Sequence, residues 1–144
     1  MIHIGSKNPY NDIFMRNTKG GLNKLEAVDE EKDLGVTFDG KLNFNSHINN
    51  VSNKANSMMG IIKRTFECLD PNIFLPLYKA LVRSNLEYAN CVWRPYKRKD
   101  IDKLEKVQRR ATKCVPELRN LTYEDRLRRL KLPTLEYRRS RGDM

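Results

Sequence analysis

The sequence predicts a mainly α-helical, α+β fold, an amphipathic helical bundle preceded by a small N-terminal antiparallel β element. Two observations carry this prediction. After residue 44, apolar residues recur at steps of three and four, which is the spacing of one face of an α-helix. Before that point, glycine-containing turns flank short β-branched runs, as is typical of strands. We therefore divide the chain into strands and turns at 1–44 and a helical domain at 45–144.

The first domain is predicted to contain short strands and tight turns. His3-Ile4-Gly5 is a short extended start, residues 19–21 (Lys-Gly-Gly) form a turn, and residues 34–38 (LGVTF) form a strand that Asp39-Gly40 closes. An acidic cluster, Asp29-Glu30-Glu31 with Asp33, lacks the spacing of a calcium loop and predicts a solvated turn instead.

Two long helices are predicted next. The first begins at Asn45, with Asn45 or Ser46 as its cap, and runs for about five turns. Its apolar positions are Ile48, Val51, Ala55, Met58, Met59, Ile62 and Phe66. Asp70-Pro71, a cap followed by a first-turn proline, begins the second helix. That helix ends near Asn85 or continues with a bend to Trp93, before Pro95 stops it.

The third helix is the most strongly segregated element of the sequence. Asp100 is predicted to cap it and Val115 to lie near its end. Its apolar sector holds Ile101, Leu104, Val107, Ala111, Cys114 and Val115. At 100° per residue the opposite sector is basic, with Lys103, Lys106, Arg109, Arg110 and Lys113.

Two short helices complete the prediction. Pro116 ends the third helix, because proline disrupts a helix interior. Thr122 and Asp125 resemble a capping box for a helix that continues to Leu130, and Pro133 is predicted to begin the last helix.

Positive charge is concentrated in the helical part of the chain. The net charge is +10. Residues 1–59 contain seven Lys/Arg and seven Asp/Glu, whereas residues 60–144 contain 21 and 11. This imbalance favours a polyanionic partner such as nucleic acid, with an anionic membrane surface as the weaker alternative. We predict no membrane association and no small-molecule substrate.

The basic sector of the third helix is the first candidate site. Cations spaced along one side of a helix suit contact with a phosphate backbone, without reading bases. The alternative is a solvated helix face, on which the i,i+4 pairs Asp102–Lys106 and Glu105–Arg109 support the helix.

A second candidate site is the basic connector at residues 94–99, from which Arg94, Lys97 and Arg98 join the candidate nucleic-acid contacts. Trp93 and Tyr96 beside these cations resemble the stacking platform of single-strand binders. The competing interpretation, which we favour for Trp93, is a core residue.

The chain is predicted to be intracellular, nuclear or cytoplasmic, and not secreted. The sequence begins without an apolar signal region, and its longest apolar cluster is too short for a bilayer. Cys68, Cys91 and Cys114 form neither a CxxC pair nor an even set, which predicts reduced thiols and no zinc site.

Several runs of the sequence resemble the reverse transcriptases of non-LTR retrotransposons of the jockey type. The runs are LEYANCVWRP at 86–95, LEKVQRRATK at 104–113, LPTLEYRRSRGDM at 132–144, EKDLGV at 31–36, Ser46-His47-Ile48, and His3-Ile4-Gly5 with Asn8. Together they cover nearly the whole chain in order.

The resemblance implies the end of a palm followed by a helical thumb that grips the template–primer duplex. It makes the basic residues of the third helix candidates for backbone contact, and it implies Mg²⁺ as the cofactor of the full-length enzyme. The sequence contains no adjacent Asp pair, so we predict no catalytic residue and no cofactor in this chain.

We expect a non-catalytic fragment of an RNA-directed DNA polymerase, cut at both ends, that retains binding of an RNA or DNA duplex. In the parent enzyme its intramolecular partners would be the palm and fingers. One alternative is a helical protein-interaction module, whose apolar stripes dock a partner. The other is a non-functional product of a degenerate element.

Overall fold

The computed structural model describes residues 1–5, 7, 9 and 11–142. The chain forms two compact units, Met1–His47 and Ile48–Met144. Helices predominate and the strands lie in the amino-terminal unit, which confirms the predicted mainly α, α+β class. The parts of the resemblance that fall on Asn8 and on residues 143–144 lie outside the described residues.

The first hairpin of the amino-terminal unit pairs β1 (Phe14–Arg16) with β2 (Leu22–Lys24) in antiparallel register. Its turn is held by Asn17, whose side-chain oxygen accepts hydrogen bonds from the backbone N–H groups of Lys19 and Gly21 at 3.0 and 2.8 Å. Gly20 has φ of 83°, which favours glycine. The predicted turn at 19–21 is therefore confirmed.

The second hairpin pairs β3 (Glu30–Asp33) with β4 (Val36–Asp39). It corrects two predictions. The predicted strand at 34–38 begins only at Val36, because Leu34 and Gly35 adopt positive φ and form the turn. The acidic cluster forms most of β3 rather than a solvated turn, since pairing with β4 outweighs the low strand propensity of acidic residues.

Helix α1 (Asn45–Thr65) follows a tight loop that Asp39 organises. The Asp39 carboxylate accepts hydrogen bonds from the backbone N–H groups of Lys41, Asn43 and Phe44 at 2.8 to 3.1 Å. The predicted cap is wrong: Asn45 already lies inside the helix, and the Ser46 hydroxyl donates to Glu30. The buried positions of α1 include Ile48, Ala55, Met59 and Ile62, which matches the predicted apolar stripe.

The second helical region comprises α2 (Pro71–Leu77), a π-helical segment (Tyr78–Arg83) and α3 (Ser84–Glu87). The predicted Asp70 cap is confirmed, because its side chain accepts from the Ile73 N–H at 2.8 Å. Of the two predicted alternatives, the end near Asn85 is the one found, because α3 ends at Glu87. Ala89, with φ of 51°, breaks the helix before α4 (Asn90–Trp93).

The last helices are α5 (Arg98–Thr112), α6 (Tyr123–Leu130) and α7 (Leu135–Arg141), with a 3-10 turn at Pro116–Leu118. The predicted Thr122 cap of α6 is confirmed: its hydroxyl accepts from the Asp125 N–H at 3.2 Å and donates to the Asp125 carboxylate at 2.7 Å. Asp100 does not cap α5, which begins two residues earlier and ends at Thr112 rather than near Val115. The Thr134 hydroxyl, rather than Pro133, begins α7 by accepting from the Tyr137 N–H at 3.1 Å.

Candidate nucleic-acid interface

The basic face of α5 is the surface around which the candidate site is built. Its five cations lie within about 120° of the helix circumference, since successive residues are 100° apart. Lys103 is half-buried, and the others are exposed. The exposed cations are Lys106, Arg109, Arg110 and Lys113.

The opposite side of α5 is buried, and this fixes the direction in which the cations point. Leu104, Val107 and Ala111 are buried on this side, as predicted. Gln108 and Thr112 are buried beside them, which the apolar pattern did not predict. The basic face is therefore directed away from the core by packing along the length of the helix.

Gln108 connects α5 to three other parts of the helical unit. Its side-chain oxygen accepts a hydrogen bond from the Tyr78 hydroxyl at 2.6 Å. Its amide donates to the Tyr123 hydroxyl and to the Pro133 carbonyl, both at 3.0 Å. Burial raises the pKa of the Tyr78 phenol well above its usual range, so this hydroxyl remains a donor. The hydrogen bonds fix the rotation of α5 about its axis.

Glu105 turns inward, which corrects the predicted pairing with Arg109. Its carboxylate is buried and accepts hydrogen bonds from the Tyr123 hydroxyl and from the Leu135 N–H, the latter at 3.1 Å. Asp102 pairs with Arg98 at 3.4 Å rather than with Lys106. Lys106 and Arg109 are therefore not neutralised by the carboxylates expected to pair with them.

The two edges of the basic face differ in their contacts. At one edge the Lys103 ammonium donates a hydrogen bond to the Asn49 side chain of α1. At the other edge the Arg109 guanidinium lies over the ring of Tyr123, 5.0 Å from its centroid. Within residues 11–142, Lys106, Arg110 and Lys113 have no hydrogen bond or ion pair through their side chains.

The cations of the connector are less available for contact with nucleic acid than the sequence suggested. Arg98 donates to both carboxylate oxygens of Glu136, at 2.9 and 3.2 Å, so its charge is partly offset within the chain. Arg94 is exposed and lies 3.4 Å from the Ser140 hydroxyl. The Lys97 ammonium lies 5.3 Å from the ring centroid of Tyr96, which is 69% exposed.

Trp93 is a core residue, as favoured from the sequence. It is completely buried, and its indole N–H donates to the Tyr88 carbonyl at 2.7 Å. A stacking platform that includes Trp93 is therefore excluded, and Tyr96 is the exposed aromatic residue of the connector.

The sequence patterns did not predict that two further residues, Tyr123 and Arg126, belong to this region. Tyr123, at the start of α6, has two arginines over its ring, with the guanidinium groups of Arg109 and Arg126 5.0 and 5.6 Å from the ring centroid. Arg126 is buried and donates to the Thr112 hydroxyl and the Leu121 carbonyl, at 3.0 and 2.9 Å. The position of Tyr123 directly after the Thr122 cap was the available signal.

Arg139 of α7 is a second unexpected feature. Only 5% of it is exposed, and its three guanidinium nitrogens have no hydrogen-bond partner among the residues described. Burial lowers its pKa, an effect that the nearby carboxylates of Glu105 and Glu87 oppose. Arg139 therefore belongs to the interior and not to the basic surface.

The electrostatic balance of the two units is unequal. By sequence count the amino-terminal unit holds six Lys/Arg and seven Asp/Glu, whereas the helical unit holds 22 Lys/Arg and 11 Asp/Glu.

In the part of the chain that the structure describes, no three His, Cys, Asp or Glu side chains come together to hold a metal ion.

Comparison with known proteins leaves the family open. No family model matches the chain, and no solved structure matches it. The chain is similar to an uncharacterized protein of Caenorhabditis elegans, with 28% identity over 119 residues, which is 81% of this chain. The chain spans about 60% of that relative's length. The resemblance to reverse transcriptases stays a prediction.

No helix among the described residues combines the length and the apolarity needed to cross a membrane.

Proposed function

We propose that this chain is the region of a non-LTR retrotransposon reverse transcriptase that follows the catalytic palm. In this proposal it binds the phosphate backbone of an RNA or DNA template–primer duplex and does not polymerise by itself. The observation that carries the proposal is the exposed basic face of α5, together with the motif resemblance at 86–95, 104–113 and 132–144.

The spacing of the exposed cations supports backbone contact. Lys106 and Lys113 are separated by about 10 Å along the helix axis. Successive phosphates of one duplex strand rise about 3.4 Å, so this length covers about three steps and therefore about four phosphates. Because the opposite side of α5 is fixed in the core, the cations are presented together without folding of a new segment.

The proposal separates binding from catalysis. The sequence has no adjacent Asp pair, so in the parent enzyme the metal-binding carboxylates would come from the palm. A chain that handles template and primer would act inside the cell, in the nucleus or cytoplasm. In the parent enzyme the palm and fingers would be its intramolecular partners.

Salt-dependent binding tests the proposal directly. Four phosphate contacts predict that log K falls with log salt with a slope of about −3.6, or about a 150-fold loss between about 50 and 200 mM salt. Fluorescence anisotropy with a labelled RNA–DNA hybrid measures this slope. No salt-sensitive binding at micromolar protein would refute the proposal.

A charge-matched pair of variants distinguishes the α5 face from net charge. Reversal of three exposed cations on α5 (Lys106→Glu, Arg110→Glu and Lys113→Glu) is expected to abolish binding. Reversal of three exposed cations in the amino-terminal unit changes the net charge equally and is expected to leave most of the affinity intact. The control substitutions are Arg16→Glu, Lys19→Glu and Lys41→Glu. Equal losses would mean that net charge alone governs binding.

A protein-interaction module is the second candidate function, and one observation favours it. Apolar side chains of the first hairpin are exposed, with Phe14 at 53% and Leu22 at 67%. Exposed apolar patches mark interaction surfaces. The double variant Phe14→Ser and Leu22→Ser would disrupt a protein association, measured by sedimentation, and leave nucleic-acid binding unchanged. The charge reversals on α5 would leave the protein association intact and abolish nucleic-acid binding.

A further inference from the structure

We infer that Tyr123 is a positioning residue for Arg109, and that Arg109 is the orientation-specific phosphodiester contact of the α5 face. This inference rests on the proposed nucleic-acid binding and deepens it. It distinguishes one cation that is held in a defined direction from neighbours that contribute charge alone.

The ring of Tyr123 is held rigidly. Its hydroxyl accepts from the Gln108 amide at 3.0 Å and donates to the Glu105 carboxylate, and both partners belong to buried residues of α5. Burial, together with the hydrogen bond to Glu105, raises the pKa of Tyr123 well above the usual range, so the hydroxyl stays protonated. The ring is thus a fixed surface between α5 and α6.

Two arginines use this ring in different ways. Arg126 is buried, and its guanidinium donates to Thr112 and to the Leu121 carbonyl, so it is committed to the fold. Arg109 is exposed, and within the described chain the Tyr123 ring is the contact of its guanidinium. Arg109 is therefore positioned by the ring, while its N–H donors remain open to a ligand.

Stacking on a ring favours a phosphate over a diffuse counterion. A guanidinium presents a planar fork that donates two parallel hydrogen bonds to one phosphate. A fork that is already oriented loses less conformational freedom on binding than a mobile one.

Arg110 supplies the matched comparison. It lies on the same helix and is exposed, but it has no aromatic ring against its side chain among the described residues. Lysine keeps the positive charge but lacks the planar fork. Arg109→Lys is expected to weaken hybrid-duplex binding about five- to tenfold, the effect of losing about 1 to 1.4 kcal/mol of stacking and fork hydrogen bonding. Arg110→Lys is expected to stay within about twofold, because unoriented charge is preserved.

The salt slope separates this effect from a loss of charge. Both lysine variants retain every cation, so the slope of log K against log salt is expected to stay that of the wild-type chain. If wild-type binding is absent or insensitive to salt, the proposed function fails. If binding is salt-sensitive but Arg109→Lys and Arg110→Lys weaken it equally, the proposed function stands and the special role of Arg109 is overturned.

Substitutions at Tyr123 test positioning. Tyr123→Phe keeps the ring but removes both hydrogen bonds that hold it, and is expected to show a loss between those of the wild type and Tyr123→Leu. Tyr123→Leu removes the ring and is expected to match the loss of Arg109→Lys, with no added loss in the Arg109→Lys background. An equal loss in both backgrounds would show that the ring acts through the fold alone. Circular dichroism identifies any unfolded variant, and the lysine pair then decides the question.

Discussion

Removal of the Gln108 side chain is the sharpest test of how α5 is held. Gln108 and Tyr78 are both completely buried, and the Tyr78 hydroxyl donates to Gln108 at 2.6 Å. Gln108→Leu removes that acceptor and also the donor to the Pro133 carbonyl. Tyr123 keeps its hydrogen bond to Glu105. The substitution therefore removes a partner from two polar groups, the buried Tyr78 hydroxyl and the part-buried Pro133 carbonyl.

The magnitude follows from those two groups. An unsatisfied buried donor or acceptor costs about 1 to 3 kcal/mol, so Gln108→Leu is expected to cost about 3 kcal/mol. Tyr78→Phe alone strands only the Gln108 oxygen and is expected to cost about 1 to 2 kcal/mol. In the Gln108→Leu background, however, Tyr78→Phe removes a stranded hydroxyl. There it is expected to be neutral or stabilising.

Urea denaturation followed by circular dichroism measures all four members of this cycle. Tyr96→Phe is the control, because Tyr96 is an exposed tyrosine of the same unit and its change should have little effect. If Tyr78→Phe costs the same free energy with and without Gln108, the two side chains are not coupled and the role assigned to Gln108 is wrong.

Two further predictions concern other buried groups. Burial, and next Lys32, lower the pKa of His47, whose Nδ1 accepts from the Thr37 N–H at 3.2 Å. The pKa of His47 in the folded chain lies below the unfolded value of about 6.5. The contribution of neutral His47 to the free energy of unfolding is therefore complete above about pH 6.5 and is lost as the pH falls through the folded pKa. NMR titration of the imidazole should therefore show a midpoint below that of a free histidine, and a higher midpoint would contradict this. Arg139→Met removes an unpartnered buried charge and is expected to raise the free energy of unfolding by about 1 to 3 kcal/mol. A loss of stability in urea denaturation would indicate that the guanidinium is paired.

The sequence predicted the helical part well because its apolar spacing is regular. The buried side of α5 and the exposure of Lys106 and Arg110 follow directly from 3.6-residue periodicity. The Thr122 and Asp70 caps were predictable because these side chains bond to nearby backbone N–H groups. Such interactions are local in sequence.

The polar contacts that position the site could not be predicted in the same way. Glu105 and Gln108 are buried because Tyr123 and Leu135 supply partners from residues 15 to 30 positions away. One signal was present: Gln108 lies four residues after Leu104, within the buried stripe. A prediction of the core that considers apolar residues alone does not include Gln108.

Strand β3 was missed for a related reason. Glu30, Glu31 and Asp33 have low strand propensity, and all are exposed. Their extended conformation comes from the backbone ladder with β4, which depends on the turn at Leu34 and Gly35. Composition alone does not reveal such pairing.

The π-helical segment Tyr78–Arg83 has a consequence for spacing along its helix. Phe74, Tyr78, Val82 and Leu86 are all completely buried, at strict intervals of four residues. In an ideal α-helix each such interval overshoots a full turn by about 40°, so the four side chains would spread over about 120°. A locally wider turn reduces that spread and keeps them on one side. The segment thus acts as a phase correction: its wide turn accommodates one extra residue, so deletion of a single residue within it would restore a regular α-helical turn without rotating the helix that follows.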